Sequence, residues 1–148
     1  MENYILNNNS IAIIKNKKQT IIYDVDNYRV INKNINRVLE HNCNIYGSSL
    51  IGRKKAAKKI LNISYKVPII INDNIILVQL NNYRDEKCIF IVLNKIFDYQ
   101  VIDKNIEIYC NNNIKFKSKL SKNSFEKLLI NAVKLNNILK WQKNTNFV

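Results

Sequence analysis

The stretch Tyr46–Lys59, YGSSLIGRKKAAKK, decides between two fold classes. It holds both of the chain's glycines, Gly47 and Gly52, and five basic residues, Arg53, Lys54, Lys55, Lys58 and Lys59. Gly47 through Gly52 has the spacing of a phosphate-cradling loop, G-x-x-x-x-G-K-[ST], which belongs after a buried strand of a parallel sheet. Arg53 stands where that motif needs its lysine, and Lys54 where it needs the hydroxyl that ligates Mg²⁺. The preceding HNCNIY is too short and too polar for a buried parallel strand. The other reading is a helix that begins near Leu50 behind an N-cap at Ser48 or Ser49. At about 100° per residue, Leu50, Ala56, Ala57, Ile60 and Leu61 then share one side, and Lys54, Lys55, Lys58 and Lys59 fan across the other. Arg53 points toward the apolar flank, and Ile51 sits among the lysines.

Such a helix carries strain of charge. Lys54/Lys58 and Lys55/Lys59 are like-charged pairs at i,i+4, each costing a few tenths of a kcal/mol in a free helix. Arg53 near the N-terminus opposes the helix dipole. No Asp or Glu lies between Glu40 and Asp73 to relieve it locally. A phosphate backbone would relieve it, since N-terminal amides, Arg53 and the lysines all favour anions. Gly47, Ser48, Ser49, Gly52, Arg53, Lys54, Lys55, Lys58 and Lys59 are therefore read as a nucleic-acid docking element. Lys66 and a face of Lys115, Lys117 and Lys119 are candidates to extend it. The competing reading is a solvated lysine face enriched by codon usage.

Around this segment the chain reads as hairpins. IAIIKNKKQTIIYDV, Ile11–Val25, holds two β-rich runs about Lys15–Gln19. NINRVLEHN, Asn34–Asn42, is a short run with Ile35, Val38 and Leu39 at helical spacing. KVPIIINDNIILVQL, Lys66–Leu80, folds back at Asn72–Asn74, with Pro68 at the start or edge of its strand. KCIFIVLNKI is a further buried strand, and NIEIYC and IKFKSKL form a third hairpin about Asn111–Asn113. In the last run Lys115, Lys117 and Lys119 alternate with apolar or small residues, so period two puts them on one face. Asn123 and Glu126 resemble a capping box opening a terminal helix. Phe125, Leu128, Leu129, Ala132, Leu135 and Leu139 fall on one side of that helix, and Ile130 and Ile138 lie outside it as a candidate self-association surface. The sum is α+β: mostly antiparallel hairpins, a short basic helix after GSSLIGRK and a C-terminal amphipathic helix.

With 148 residues, the chain is expected to form one domain, 1–148. Lys and Arg outnumber Asp and Glu by 24 to 11, giving a net charge of +13. That balance suits a polyanionic partner. Asn, Ile and Lys dominate as A/T-rich codons would produce, which discounts some of the lysines and makes the two retained glycines more informative. No apolar run reaches the ~18 residues of a spanning helix, and no leader pattern opens the chain, so a cytoplasmic, nucleoid-associated protein without membrane contact is expected. Cys43, Cys88 and Cys110 are odd in number and widely spaced, hence small buried hydrophobes in a reducing compartment.

Enzyme chemistry finds little support. His41 is the one histidine, so sites needing two are excluded, and His41-x-Cys43 is at most half a metal site. Asp85-Glu86 reads as a hairpin tip. Asp24 and Asp26 would face the same way on a strand and could hold Mg²⁺, which leaves a metal-dependent nucleic-acid-processing enzyme as the alternative. A non-specific RNA-binding accessory protein is the third reading. The preferred expectation has no catalytic residue, no metal and no cofactor.

From Cys43 onward, CNIYGSSLIGRKKA resembles the ComK family of transcription factors of bacterial competence. The likeness rests on Cys43, Tyr46, Gly47-Ser48-Ser49 and Gly52-Arg53-Lys54. It continues in ISYKVPIIIN through Lys66, Pro68 and Ile69, and returns at NSFE, Asn123–Glu126. The resemblance implies an activator of DNA-uptake genes that binds AT-rich double-stranded DNA largely through the minor groove. It implies a homo-oligomer on paired AT boxes, acting on RNA polymerase through promoter context. Ala57-Lys58-Lys59 is more basic than that resemblance leads one to expect. The short KNTNFV end leaves little room for the tail by which an adaptor–protease system reads some members.

Overall fold

The computed structural model describes residues 3–80 and 88–144, the side chains of 143 and 144 excepted. The expected hairpin tip at Asp85-Glu86 lies outside the described residues. The order is β1 (Ser10–Asn16), β2 (Gln19–Asp24), β3 (Tyr28–Ile31), α1 (Ile35–Ile45), α2 (Leu50–Leu61), β4 (Ile69–Asn72), β5 (Ile75–Gln79), β6 (Ile89–Val92), β7 (Ile96–Ile102), β8 (Asn105–Cys110), β9 (Lys115–Ser118) and α3 (Lys122–Asn144). The fold is α+β with antiparallel pairing. One sheet runs β3-β2-β1-β6-β5-β4 and a second runs β7-β8-β9.

The first sheet is apolar on both faces because its Ile-rich strands place large side chains at both parities. Ile13, Ile22, Ile69, Ile71, Leu77 and Phe90 share one core with Ile35, Val38, Leu39 and Cys43 of α1. Ala12, Ile70, Ile76, Val78, Ile89 and Ile91 share the other with Ala57 and Leu61 of α2, Phe125, Ala132 and Leu135 of α3, and Ile106 and Ile108 of β8. A bulge between Ser10 and Ala12 moves Ile11 into the same core as Ala12. The buried side chain of Asn42 in α1 pins the N-terminal segment: its oxygen accepts from the Leu6 amide at 2.8 Å, and its nitrogen donates to the carbonyls of Tyr4 and Val38.

Helix α2 packs beside β4, the last strand of its sheet. Leu50 enters the α1 core, while Ala57 and Leu61 enter the α3 core, so the helix passes from one face of the sheet to the other along that edge. Pro68, which lacks an amide donor, immediately precedes this edge strand, where the loss of one donor is tolerated.

Three expectations are corrected. Helix α1 extends to Ile45, three residues beyond the sequence-based limit. Strand β7 is additional to the predicted strands, and pairs with β8 as the edge of the second sheet. Helix α3 starts one residue before Asn123: the Ser121 hydroxyl accepts from the Ser124 amide at 3.1 Å, and Glu126 instead accepts from the Tyr99 hydroxyl at 2.5 Å. Ser121 thus supplies the side-chain cap in place of Asn123, and Glu126 is taken by Tyr99 of β7.

Candidate nucleic-acid interface

The turn into α2 is built by short-range chemistry. Gly47 takes φ +73°, a left-handed conformation at the end of α1, and its amide donates to the Asn44 carbonyl at 3.0 Å. The Ser48 amide donates to the Cys43 carbonyl at 3.1 Å. Ser49 is the N-cap of α2: its backbone is extended and its hydroxyl accepts from the Gly52 amide at 2.9 Å. Asn62, left-handed, closes the helix, and Lys58 and Lys59 lie in the last turn, where the dipole favours cations.

Of the two glycines only Gly47 is a hinge. Gly52 lies inside the first turn of α2, and a Cβ there would stand 3.0 Å from the Ser49 hydroxyl oxygen. Its smallness protects the cap rather than a bend.

The faces of α2 differ in part from expectation. Leu50, Ala57 and Leu61 are buried, Ile60 half-buried, and Ala56 exposed. Ala56 lies about 120° round from Leu50, beyond the reach of the core. Lys54 lies only about 40° from Leu50 and is half-buried. Burial, then the neighbouring charge of Lys58, lowers its pKa from the ordinary 10.5. Arg53 is half-buried as well, and its Nε is enclosed without a hydrogen-bond partner. Nearby, burial raises the Cys43 thiol pKa, and the Arg53 charge partly offsets the shift. The outward face is therefore Ile51, Gly52, Lys55, Ala56, Lys58 and Lys59. Ile51 is 66% exposed. Among the described residues no ion pair joins Arg53, Lys55, Lys58 or Lys59 to a carboxylate.

One carboxylate does reach α2, against expectation. Glu40 of α1 accepts from the Leu50 amide at 3.3 and 3.4 Å. With the Asn44 amide turned so that both its atoms are satisfied, its nitrogen donates to Glu40 Oε1 at 3.0 Å and to the Ser48 carbonyl at 2.8 Å. The α2 N-terminus thus has an internal anion, and its amides are not an open phosphate site. Sequence reasoning missed Glu40 because it is ten residues upstream and arrives through the α1–α2 turn. The Tyr46 hydroxyl accepts from Asn72 Nδ2 at 2.9 Å, tying this turn to the β4–β5 turn.

Three of the proposed extensions of the basic track, Lys66, Lys115 and Lys117, are occupied. Lys66, with φ +49°, donates from Nζ to the Leu80 carbonyl at 2.9 Å and lies 5.5 Å from the Tyr65 ring centroid. That bond ties the α2–β4 loop to the residue after β5. Lys115 and Lys117 do share a face of β9, but both pair at 3.8 Å with the buried Glu107 on β8, which sits directly opposite Lys117. Lys119 lies past the end of β9.

The alternative metal site loses its premise. β2 ends at Asp24, and Asp26 lies in the following bend, so the two do not share a strand. Asp24 Oδ1 accepts from the Asp26 and Asn27 amides at 3.0 Å each, and Oδ2 lies 3.9 Å from Arg29 Nε. Among the described residues no three His, Cys, Asp or Glu side chains gather as metal ligands. Cys43, Cys88 and Cys110 are buried and form no disulfide with one another, and burial pushes the Cys110 pKa up to about 12. No described helix is long and apolar enough to cross a membrane.

A family model described as ComK protein matches residues 1–144. The chain belongs to the ComK family. This is a family of competence transcription factors, not of enzymes. The match spans α2 and every other element of the fold, so the ComK assignment covers both the basic helix and its scaffold. No curated protein and no solved structure matches the chain.

Proposed function

We propose that this ComK-family chain is a DNA-binding activator of competence genes that sets the outward face of α2 against the backbone of AT-rich DNA, chiefly at the minor groove. The observation that carries this reading is the cationic face of Lys55, Lys58 and Lys59, which no described carboxylate neutralises. A·T tracts narrow the minor groove and deepen its negative potential, so clustered cations read shape without base-specific bonds. Gly52 and Ala56 lie on the same exposed face and leave room for close approach of a sugar-phosphate strand. Gly47, Ser48 and Ser49 set the helix direction. Arg53 and Lys54 supply potential from the flank, and Lys66 serves the scaffold. The chain would act in the cytoplasm on the nucleoid, as a homo-oligomer on paired boxes, with RNA polymerase engaged through the promoter.

Competition gel shifts test the reading. An AT-rich duplex should bind more tightly than a GC-rich duplex or a single-stranded RNA of equal length. A duplex with I·C in place of A·T should retain binding, because inosine lacks the guanine 2-amino group in the minor groove while its major-groove pattern differs from that of A·T. Preference for the RNA would favour the accessory-protein reading. Loss of binding on the I·C duplex would move recognition to the major groove.

A further inference from the structure

We propose that the outward stripe of α3 is a docking face for an acidic amphipathic helix of another protein. The inference does not depend on how the chain meets DNA. Helix α3 buries Phe125, Ala132 and Leu135 in the core. Large apolar residues interrupt its exposed side, where a solvated helix face would be polar throughout. Ile130 is 64%, Val133 47% and Trp141 60% exposed. Ile130 and Val133, with Ile138 and Asn137, line an open groove of about 560 Å³. The spacing 130, 133, 137, 138 and 141 is that of anchors laid along one helix by another. From Ile130 to Trp141 the stripe runs about 17 Å, enough for three turns of a partner.

Charge decides the occupant. Lys127, Lys134 and Lys140 are exposed on α3 beside the stripe. The sole carboxylate among the described side chains of α3 is Glu126, which is engaged by Tyr99. A second copy would set these lysines against lysines with no acid to meet them, and like charges placed face to face oppose association. That argues against α3 as the self-association surface that the sequence offered as a candidate. A helix with Leu or Ile at every third or fourth position and Glu or Asp on its flanks satisfies both the apolar centre and the cationic rim.

Trp141 is the chain's single tryptophan, so its emission reports directly on the stripe. The full chain is titrated with a synthetic Leu/Glu amphipathic peptide, with its Leu/Lys counterpart, and with a scrambled Leu/Glu sequence. The Leu/Glu peptide should give a saturable blue shift and bind at least about tenfold more tightly than either control, a gap of about 1.4 kcal/mol. Val133→Asp and Lys134→Glu should each weaken it by about tenfold, with unchanged thermal unfolding; should one variant unfold, the other decides. No saturable shift, or equal responses to the three peptides, overturns the proposal. A concentration-dependent dimer of the wild type that is lost in Val133→Asp also overturns it, because the occupant would then be a second copy.

Discussion

Gly47 and Gly52 look alike in the sequence and do different work. Gly47 has φ +73° and open space where a Cβ would go, so the strain of Gly47→Ala is confined to the backbone. The left-handed region costs a non-glycine residue roughly 1–2 kcal/mol, and Asn less. Gly47→Ala should therefore lower stability by about 1 kcal/mol in urea unfolding, with Gly47→Asn recovering part of it. At Gly52 alanine improves helix propensity by roughly 0.8–1 kcal/mol but presses on the Ser49 cap, so Gly52→Ala should change stability by less than Gly47→Ala. Lys54 gives a second test. Burial lowers its pKa from the ordinary 10.5, so burial disfavours the charged form in the folded chain. Between its lowered folded pKa and 10.5 the unfolded chain binds more protons, and stability rises with pH across that window. Lys54→Met should therefore be more stable than wild type at pH 7, with the gap closing as pH climbs toward 10.5, followed by thermal unfolding. The scarcity of glycine flagged both positions, but only the backbone angles separate a hinge from a helical residue guarding a cap.

At the scale of the element, α2 is set by its two ends. A cap at Ser48 or Ser49 was legible because capping chemistry is local: a hydroxyl before an apolar run, with the amide three residues on as its target, and the structure selects Ser49. Ser49→Ala should cost about 1 kcal/mol of stability. Glu40 was not legible, because its reach to Leu50 depends on how α1 and α2 pack. It gives a prediction with two signs. Glu40→Gln should cost about 0.3–1 kcal/mol in thermal unfolding, since the α2 N-terminus loses its compensating charge. The same change should tighten binding to AT-rich duplex, because a negative charge leaves the docking helix. A loss in both measurements would place DNA contact away from α2. Helical periodicity also misplaced particular side chains: it grouped Ala56 with the core and Lys54 with solvent, because the buried arc is narrower than an apolar/polar division implies. The lysines of β9 alternate as period two requires, yet Glu107 opposite them was invisible until strand register was known. β7 escaped notice because an edge strand with Asp98 and Gln100 and little burial lacks the apolar pattern of the inner strands.

Across the molecule, the hairpins were legible wherever apolar runs flanked Asn-rich turns. Ile69–Asn72 and Ile75–Gln79 meet at such a turn, where Asn72 Oδ1 accepts from the Asn74 and Ile75 amides. The joining of hairpins was not: β1 pairs with β6 across more than seventy residues, which no local pattern encodes. That long-range pairing creates the six-stranded sheet, gives it a β4 edge, and so holds α2 with its lysines outward. This face, rather than the net charge of +13 as a whole, must then supply the contacts with DNA. The most direct test is the salt dependence of binding to an AT-rich duplex for wild type and for Lys55→Ala/Lys58→Ala/Lys59→Ala. If each lysine neutralises one phosphate, the log–log slope of the triple variant should be shallower by about 2.7, with the AT-over-GC preference reduced. A triple variant with the wild-type slope and the wild-type preference would contradict the claim.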